Sequence, residues 1–216
     1  MRESVRPIST LLYPSKCGVC SAAGAETLCE ICSADLAKLE RPLARPHERE
    51  LSATLACFPH QDIAGEIVRR VKYDRVFPLC QLIAGELEKL ADQVDPESGA
   101  VIVPIPIHWR RLVQRGFNQS EAIAPLSRRQ IEPNGLRRLR HTRPQVGLGH
   151  DSRAENVRGA FAATRSFENK HVILIDDVCT SGATANECAR VLRKHGAARV
   201  TLCTFTRADR DQYRQV

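Results

Sequence analysis

The 216-residue chain is poor in aromatic side chains, at 5%, with one Trp and one Met. It is also poor in lysine: of 32 Lys and Arg residues, six are Lys. The longest apolar runs, Val101–Ile107 and Val172–Ile175, fall well short of the ~20 residues that span a bilayer. Glu3 and the missing apolar h-region argue against a signal peptide over Met1–Lys16, so a soluble, cytosolic protein is expected. The phosphate loops G-x-x-x-x-G-K-[ST] and G-x-G-x-x-G are both missing, which sets aside P-loop and dinucleotide-binding chemistry. No internal repeat, low-complexity tract, Ser-His-Asp site or Cys-His site is found.

What remains is 43% hydrophobic and 26% charged, with a mean hydropathy of −0.29. That is enough for one large domain, or a domain with a small appendage, and it argues against disorder. The net charge is +7. From His108 to Arg158 there are 11 Arg and 4 acids, a balance of +7, so this stretch holds the whole excess. Arg presents a planar fork suited to phosphate. An anion-binding surface for phosphates or nucleic acid competes here with a plain solvated basic face. His108, His141 and His150 lie in the same stretch and are expected to be loop histidines.

The nine cysteines are an odd number, and without a secretion signal a disulfide framework is not expected. Cys17, Cys20, Cys29 and Cys32 form C-x2-C-x8-C-x2-C. Two such knuckles bring four thiolates to one tetrahedral centre, the set that suits Zn²⁺. Four thiolates leave no open coordination position, so the site is expected to be structural. A segment this small needs the metal to fold. The proline-rich, charged stretch Arg41–Glu50 reads as a linker, which divides the chain into a zinc-binding segment, 1–45, and a main domain, 46–216.

The main domain alternates strand and helix patterns. Strands are expected over Ser52–Phe58, Ala100–Val103, Lys170–Asp176 and Arg199–Thr206. Helices are expected over Ile63–Tyr73, Pro78–Val94, Asn118–Arg129 and Thr184–His195, with Asn118 or Ser120 as a cap and Gly196 as a stop. This order implies βαβ units, a parallel α/β sheet, and ligands bound beyond the carboxyl ends of its strands.

The strongest chemical signal lies at one such end, HVILIDDVCTSGAT, His171–Thr184. An apolar strand delivers Asp176 and Asp177, and a short loop then opens a helix. Gly182 lets the backbone turn and approach a ligand closely. Free amides at the helix start favour an anion, and the hydroxyls of Thr180, Ser181 and Thr184 add donors. The two aspartates repel phosphate, so they are expected to meet sugar hydroxyls or a metal-linked group. A ligand with a phosphate at one end and a vicinal diol nearby fits both halves.

DDVCTSGAT resembles the phosphoribosyl pyrophosphate (PRPP) motif of type I phosphoribosyltransferases, with Ser181 where Thr is more usual. Together with the four-cysteine segment, VKYDR at Val71–Arg75, VPIPIHWRRLVQRGFNQS at Val103–Ser120 and RHTRPQVGLGHDSRAENVRGAF at Arg140–Phe161, the chain resembles the ComF family, also called the GntX or ComFC-like group. That resemblance implies a type I phosphoribosyltransferase fold, a parallel sheet flanked by helices with a small hood, and an N-terminal zinc-ribbon-like segment. It implies that Asp176 and Asp177 contact the ribose hydroxyls and that Thr180, Ser181, Gly182, Ala183 and Thr184 hold the 5′-phosphate. The turn around Pro106–His108 would be the pyrophosphate-side loop, with Mg²⁺ bridging. Arg110, Arg111 and Arg115 would neutralise the diphosphate, with Lys72 a weaker candidate. Arg140–Arg158, with Pro144, Gly147 and Gly149, would be a lid.

Two functions of different classes follow. One is a Mg²⁺-dependent transfer of phosphoribosyl to an unnamed acceptor. The other is a non-catalytic PRPP- or single-stranded-DNA-binding module, since the resembled family is associated with DNA uptake in natural transformation. A helicase-like protein is then a possible partner. Trp109 and Phe117 are the aromatics in the basic stretch, a thin base-stacking set.

Overall fold

A computed structural model describes residues 15–124, 129–140 and 155–208. The described elements are α1 (Glu30–Ala37), β1 (Arg45–Glu48), β2 (Leu51–Pro59), α2 (Asp62–Arg69), α3 (Pro78–Val94), β3 (Val101–Pro104), α4 (Trp109–Arg115), α5 (Gln119–Ala122), β4 (Gln130–Ile131), β5 (Leu136–Arg138), β6 (Phe161–Ala163), β7 (His171–Cys179), α6 (Ala183–Lys194) and β8 (Arg199–Arg207). A π-helical turn, Arg70–Asp74, extends α2. Six strands form one sheet in the order β1-β2-β8-β7-β3-β4. β1 runs antiparallel to β2, and the other pairings are parallel. β5 and β6 form a separate antiparallel pair.

Alternation along the strands builds two cores, because successive side chains leave a strand on opposite faces. Val172 and Leu174 join Val103, Val200 and Leu202 against Cys188 and Leu192 of α6. Ile173 and Ile175 join Ile102, Cys203 and Phe205 against Ile67 of α2 and Leu79, Ile83 and Leu87 of α3. A parallel sheet covered on both faces explains the unbroken apolar runs Val101–Val103 of β3 and Val172–Ile175 of β7. The expected α/β architecture, a mostly parallel sheet flanked by helices, is borne out.

Two local expectations change. Part of the proposed linker is an edge strand, β1, in which Pro46 pairs with Ala53. Proline lacks an N–H, and a sheet edge is where a strand tolerates it. The helix expected over Asn118–Arg129 ends early, at Ala122. The residue before a proline is disfavoured in helical geometry, and Pro125 follows within three residues. Arg129 instead buries its guanidinium beside Glu88, Asp92 and Asp95, at 3.0, 2.9 and 3.2 Å.

The N-terminal segment sits on the main domain. Gly18 lies so close to α3 that a side chain there would meet Leu79 Cδ2 at 2.9 Å. Val19 and Leu28 pack on the core beneath α2 and α3, and Leu36 of α1 is buried in it. No described helix is long and apolar enough to cross a membrane.

Candidate functional site

The sheet changes direction between β3 and β7: β3 is followed by β4 on its outer side, β7 by β8 on its inner side. Crevices at such a reversal, outside the carboxyl ends of the strands, are where open α/β sheets bind ligands. Asp176 and Asp177 stand at this end of β7. Asp176 Oδ1 accepts hydrogen bonds from Ser120 Oγ at 3.0 Å and from the Asp177 N–H at 2.9 Å. Asp177, which is buried, forms an ion pair with Lys72 Nζ at 2.9 Å. Burial, followed by the charge of Asp177, pushes the Asp176 carboxyl up to about 7.

The loop after β7 carries the expected phosphate-cradle features. Gly182 caps α6 with φ of +71°, a left-handed conformation that favours glycine. A Cβ there would approach Asn186 Nδ2 to 3.4 Å, and that side chain already donates to the Gly182 carbonyl at 3.1 Å. Ser181 Oγ accepts from the Ala183 N–H at 3.4 Å. Thr180 is exposed, Ser181 and Thr184 are half-buried, and Ala183 is buried against α6's own core.

The turn after β3 lies alongside. The Ile105 N–H donates to the Ile175 carbonyl at 2.9 Å, which ties the turn to β7. Pro106 and His108 are buried. His108 caps α4, its Nδ1 accepting from the Arg110 N–H at 3.2 Å. Arg110 lies over the Trp109 ring at 5.5 Å, and Arg111 is half-buried. Arg115 is the last residue of α4. Of the lid expected over Arg140–Arg158, residues 141–154 lie outside the described residues. Its two ends meet: Arg140 Nη2 donates to the Arg158 carbonyl at 2.5 Å, and Glu187 Oε1 accepts from the Gly159 N–H at 2.7 Å.

Three further residues join the site without having been singled out for it. Ser120 holds Asp176, and its motif neighbour Asn118 caps α5 and donates to Glu121 Oε1 at 2.8 Å. Arg138, on the β5–β6 pair, lies over Phe161 at 5.2 Å. Burial and then Arg111 hold its guanidinium below the usual range, while Cys188 and Asp176 act in the opposite sense. His60 follows β2 and meets Thr206. Their sequence signals are a hydroxyl, one arginine among many and a lone histidine, none of them distinctive without the fold.

The four-cysteine cluster is a site of its own. The Sγ atoms of Cys17, Cys20, Cys29 and Cys32 lie within 4.8 Å of one another. Tetrahedral Zn–S bonds of about 2.3 Å put sulfurs roughly 3.8 Å apart. The 3.6 Å between Cys20 Sγ and Cys29 Sγ fits that spacing and is far beyond the ~2.05 Å of a disulfide. The Cys17 N–H donates to the Ala22 carbonyl and the Gly18 N–H to the Thr27 carbonyl, both at 2.8 Å, which folds the two knuckles together. The donor set is compatible with zinc.

Fold and site together define an α/β domain with paired acids and a glycine loop at one strand end, preceded by a four-cysteine clip. The family model for the phosphoribosyl transferase domain matches residues 134–215. Competence protein F of Haemophilus influenzae is 33% identical over 114 residues, half of this chain and half of its own length. The DNA utilization protein YhgH of Escherichia coli strain K12 is 29% identical over 205 residues, 88% of this chain and 89% of its own. Competence protein ComFC of Bacillus subtilis is 26% identical over 157 residues, 69% and 61% of the two chains. The chain is similar to these competence and DNA utilization proteins, as its motifs led us to expect. Among solved structures, an allosteric regulatory enzyme of purine biosynthesis aligns with 58% of this chain and 26% of its own at 22% identity and a TM-score of 0.37. A Staphylococcus aureus hypoxanthine phosphoribosyltransferase aligns with 58% of this chain and 61% of its own at 16% identity and a TM-score of 0.34.

Proposed function

We propose that the protein binds PRPP at the carboxyl ends of β3 and β7 and transfers its phosphoribosyl group to an acceptor, releasing pyrophosphate. The observation that carries this reading is the left-handed Gly182 opening α6 directly behind Asp176 and Asp177. In this reading Thr180, Ser181, Gly182, Ala183 and Thr184 receive the 5′-phosphate, and the aspartates receive the ribose hydroxyls. The turn at Pro106 faces the diphosphate, which Arg111, Arg115 and Arg138 neutralise. Mg²⁺ arriving with the diphosphate supplies charge neutralisation at the leaving group. Asp176, held by Ser120, and Asp177, held by Lys72, orient the sugar. The transition state of such a displacement is sugar-cation-like, so positioning and leaving-group stabilisation carry the catalysis. Residues 46–216 act as the cytoplasmic transferase domain, and residues 1–45 as a clip held by Zn²⁺ on Cys17, Cys20, Cys29 and Cys32.

Calorimetric titration of PRPP with Mg²⁺ into the zinc-loaded chain tests the reading, with an Asp176→Ala/Asp177→Ala double variant alongside. Saturable binding lost in the double variant is expected. No binding by the native chain sinks the transferase.

A second reading draws on the names competence protein and DNA utilization protein among the relatives. Here the chain is a non-catalytic PRPP- and single-stranded-DNA-binding factor, working with a helicase-like partner. Trp109 on α4, 61% exposed beside Arg110, favours it. Salt separates the two. DNA-backbone binding weakens log-linearly with salt. A PRPP pocket depends instead on Mg²⁺ and on Asp176 and Asp177.

A further inference from the structure

Asn186 stands one turn into α6, four residues past Gly182, and is half-buried. Its side-chain amide is used at both ends. Nδ2 donates to the Gly182 carbonyl at 3.1 Å, beside the helical bond from the Asn186 N–H to the same oxygen at 2.8 Å. Oδ1 accepts from the Glu50 N–H at 3.2 Å. Glu50 belongs to the tight turn between β1 and β2, where Glu48 pairs with Leu51 and Arg49 takes a left-handed φ of +56°. A flipped amide would set donor against donor at Glu50 and acceptor against acceptor at Gly182, so these two partners fix its orientation. The same face of α6 meets the hairpin again at Arg193, two turns on, whose Nη2 donates to Ser52 Oγ at 2.8 Å. Glycine is the residue least able to hold one peptide orientation by itself. Two donors on its oxygen turn the Gly182 carbonyl toward α6. In a trans peptide unit the C=O and N–H point opposite ways, so the Ala183 N–H is aimed away from the helix, where Ser181 Oγ accepts it at a long 3.4 Å. A bond that long is readily exchanged for one to a charged phosphate oxygen.

We infer that Asn186 is a positioning residue: it braces the Gly182–Ala183 peptide unit against the β1–β2 turn, so that the loop meets a phosphomonoester with its amide already aimed. The inference rests on the PRPP reading above and adds to it a residue that acts through the loop backbone. Without the brace, the glycine peptide would have to be fixed at the moment of binding, and that ordering would be taken from the affinity.

The test uses the zinc-loaded full chain, titrated by calorimetry with ribose 5-phosphate, with PRPP and Mg²⁺, and with pyrophosphate and Mg²⁺. Asn186→Ala removes both arms of the brace, and Ala is the strongest helix former, so α6 is kept, as circular dichroism checks. This variant is expected to weaken ribose 5-phosphate and PRPP by about tenfold or more, while pyrophosphate, which lacks the 5′-phosphate, stays within about twofold. Asn186→Ser is the second variant. A helical serine bonds back to the carbonyl four residues earlier, which here is Gly182, so it restores the hold on the peptide unit without the arm to Glu50. It is expected to recover about threefold or more of the lost affinity. Ribose 5-phosphate binding indifferent to Asn186→Ala overturns the proposal. So does an equal loss for ribose 5-phosphate and pyrophosphate, the mark of a merely structural role, or a serine variant no better than the alanine one. A native chain that binds neither ribose 5-phosphate nor PRPP overturns the PRPP reading itself, and that is seen before any variant is made.

Discussion

Lys72 Nζ lies 2.9 Å from Asp177 Oδ1, and this ion pair joins the π-helical turn after α2 to the carboxyl end of β7. Both side chains are largely buried, at 20% and 10% exposure, so the pair is screened less than a surface bridge. It divides the labour of two neighbouring acids. Asp177 faces an ammonium, while Asp176 carries the cost of burial and of sitting beside a second carboxylate. Lys72→Met and Asp177→Asn should each cost about 1–3 kcal/mol, because each strands a partner. The double variant should cost about 1–2 kcal/mol less than the sum. Urea unfolding of the four proteins measures this coupling, and strict additivity would deny it.

The raised Asp176 carboxyl has a signed consequence. Its ordinary value is 3.8 and its folded value about 7, so between these the folded chain holds a proton the unfolded chain has released. Stability therefore falls as pH rises through that window. The effect should be about 3 kcal/mol between pH 4 and 7, and Asp176→Asn should remove it. Thermal melts of both proteins across the window give the difference. Parallel curves would contradict the assignment.

Gly182→Ala places a Cβ in the left-handed region, at a strain of about 1–2 kcal/mol. The contact with Asn186 at 3.4 Å is tolerable, so the backbone rather than the side chain bears the strain. PRPP affinity should fall at least tenfold while the chain stays folded, as read by calorimetry and circular dichroism. Undiminished affinity would show that the loop does not hold the phosphate.

Cys32 is buried at the foot of the clip, and Gly18 presses that clip onto α3. Cys32→Ser should abolish a stoichiometric zinc ion in elemental analysis and lower stability by about 2 kcal/mol or more. For a chain of this size that lowers Tm by roughly 4–8 °C. An unchanged metal content would refute the tetrathiolate site.

Much of this molecule was legible from its residues because local pattern and tertiary role coincide. The apolar run before Asp176 became the central strand β7, and Pro78–Val94 became α3 as its spacing indicated. The cysteine spacing brought four sulfurs together. The illegible parts depend on distant partners. Arg129 looked like the end of a helix, but three carboxylates from α3 and the residue after it took its guanidinium. The ion pair of Lys72 with Asp177 depends on the π-helical turn, which no local pattern announces. His60 carried no signal at all, since its contact is with Thr206, far along the chain.

The sheet's two margins are blunt. One is a four-residue strand interrupted by Pro46, and the other, β4, is two residues long. Strands so short, one of them lacking a donor, offer a poor template for an incoming strand. Recruitment by strand addition, a common way for one protein to capture another's peptide, is thereby disfavoured at both described edges. Whatever company this protein keeps is better met through helices, loops or the cysteine clip, and its sheet is poorly suited to seeding cross-β stacking.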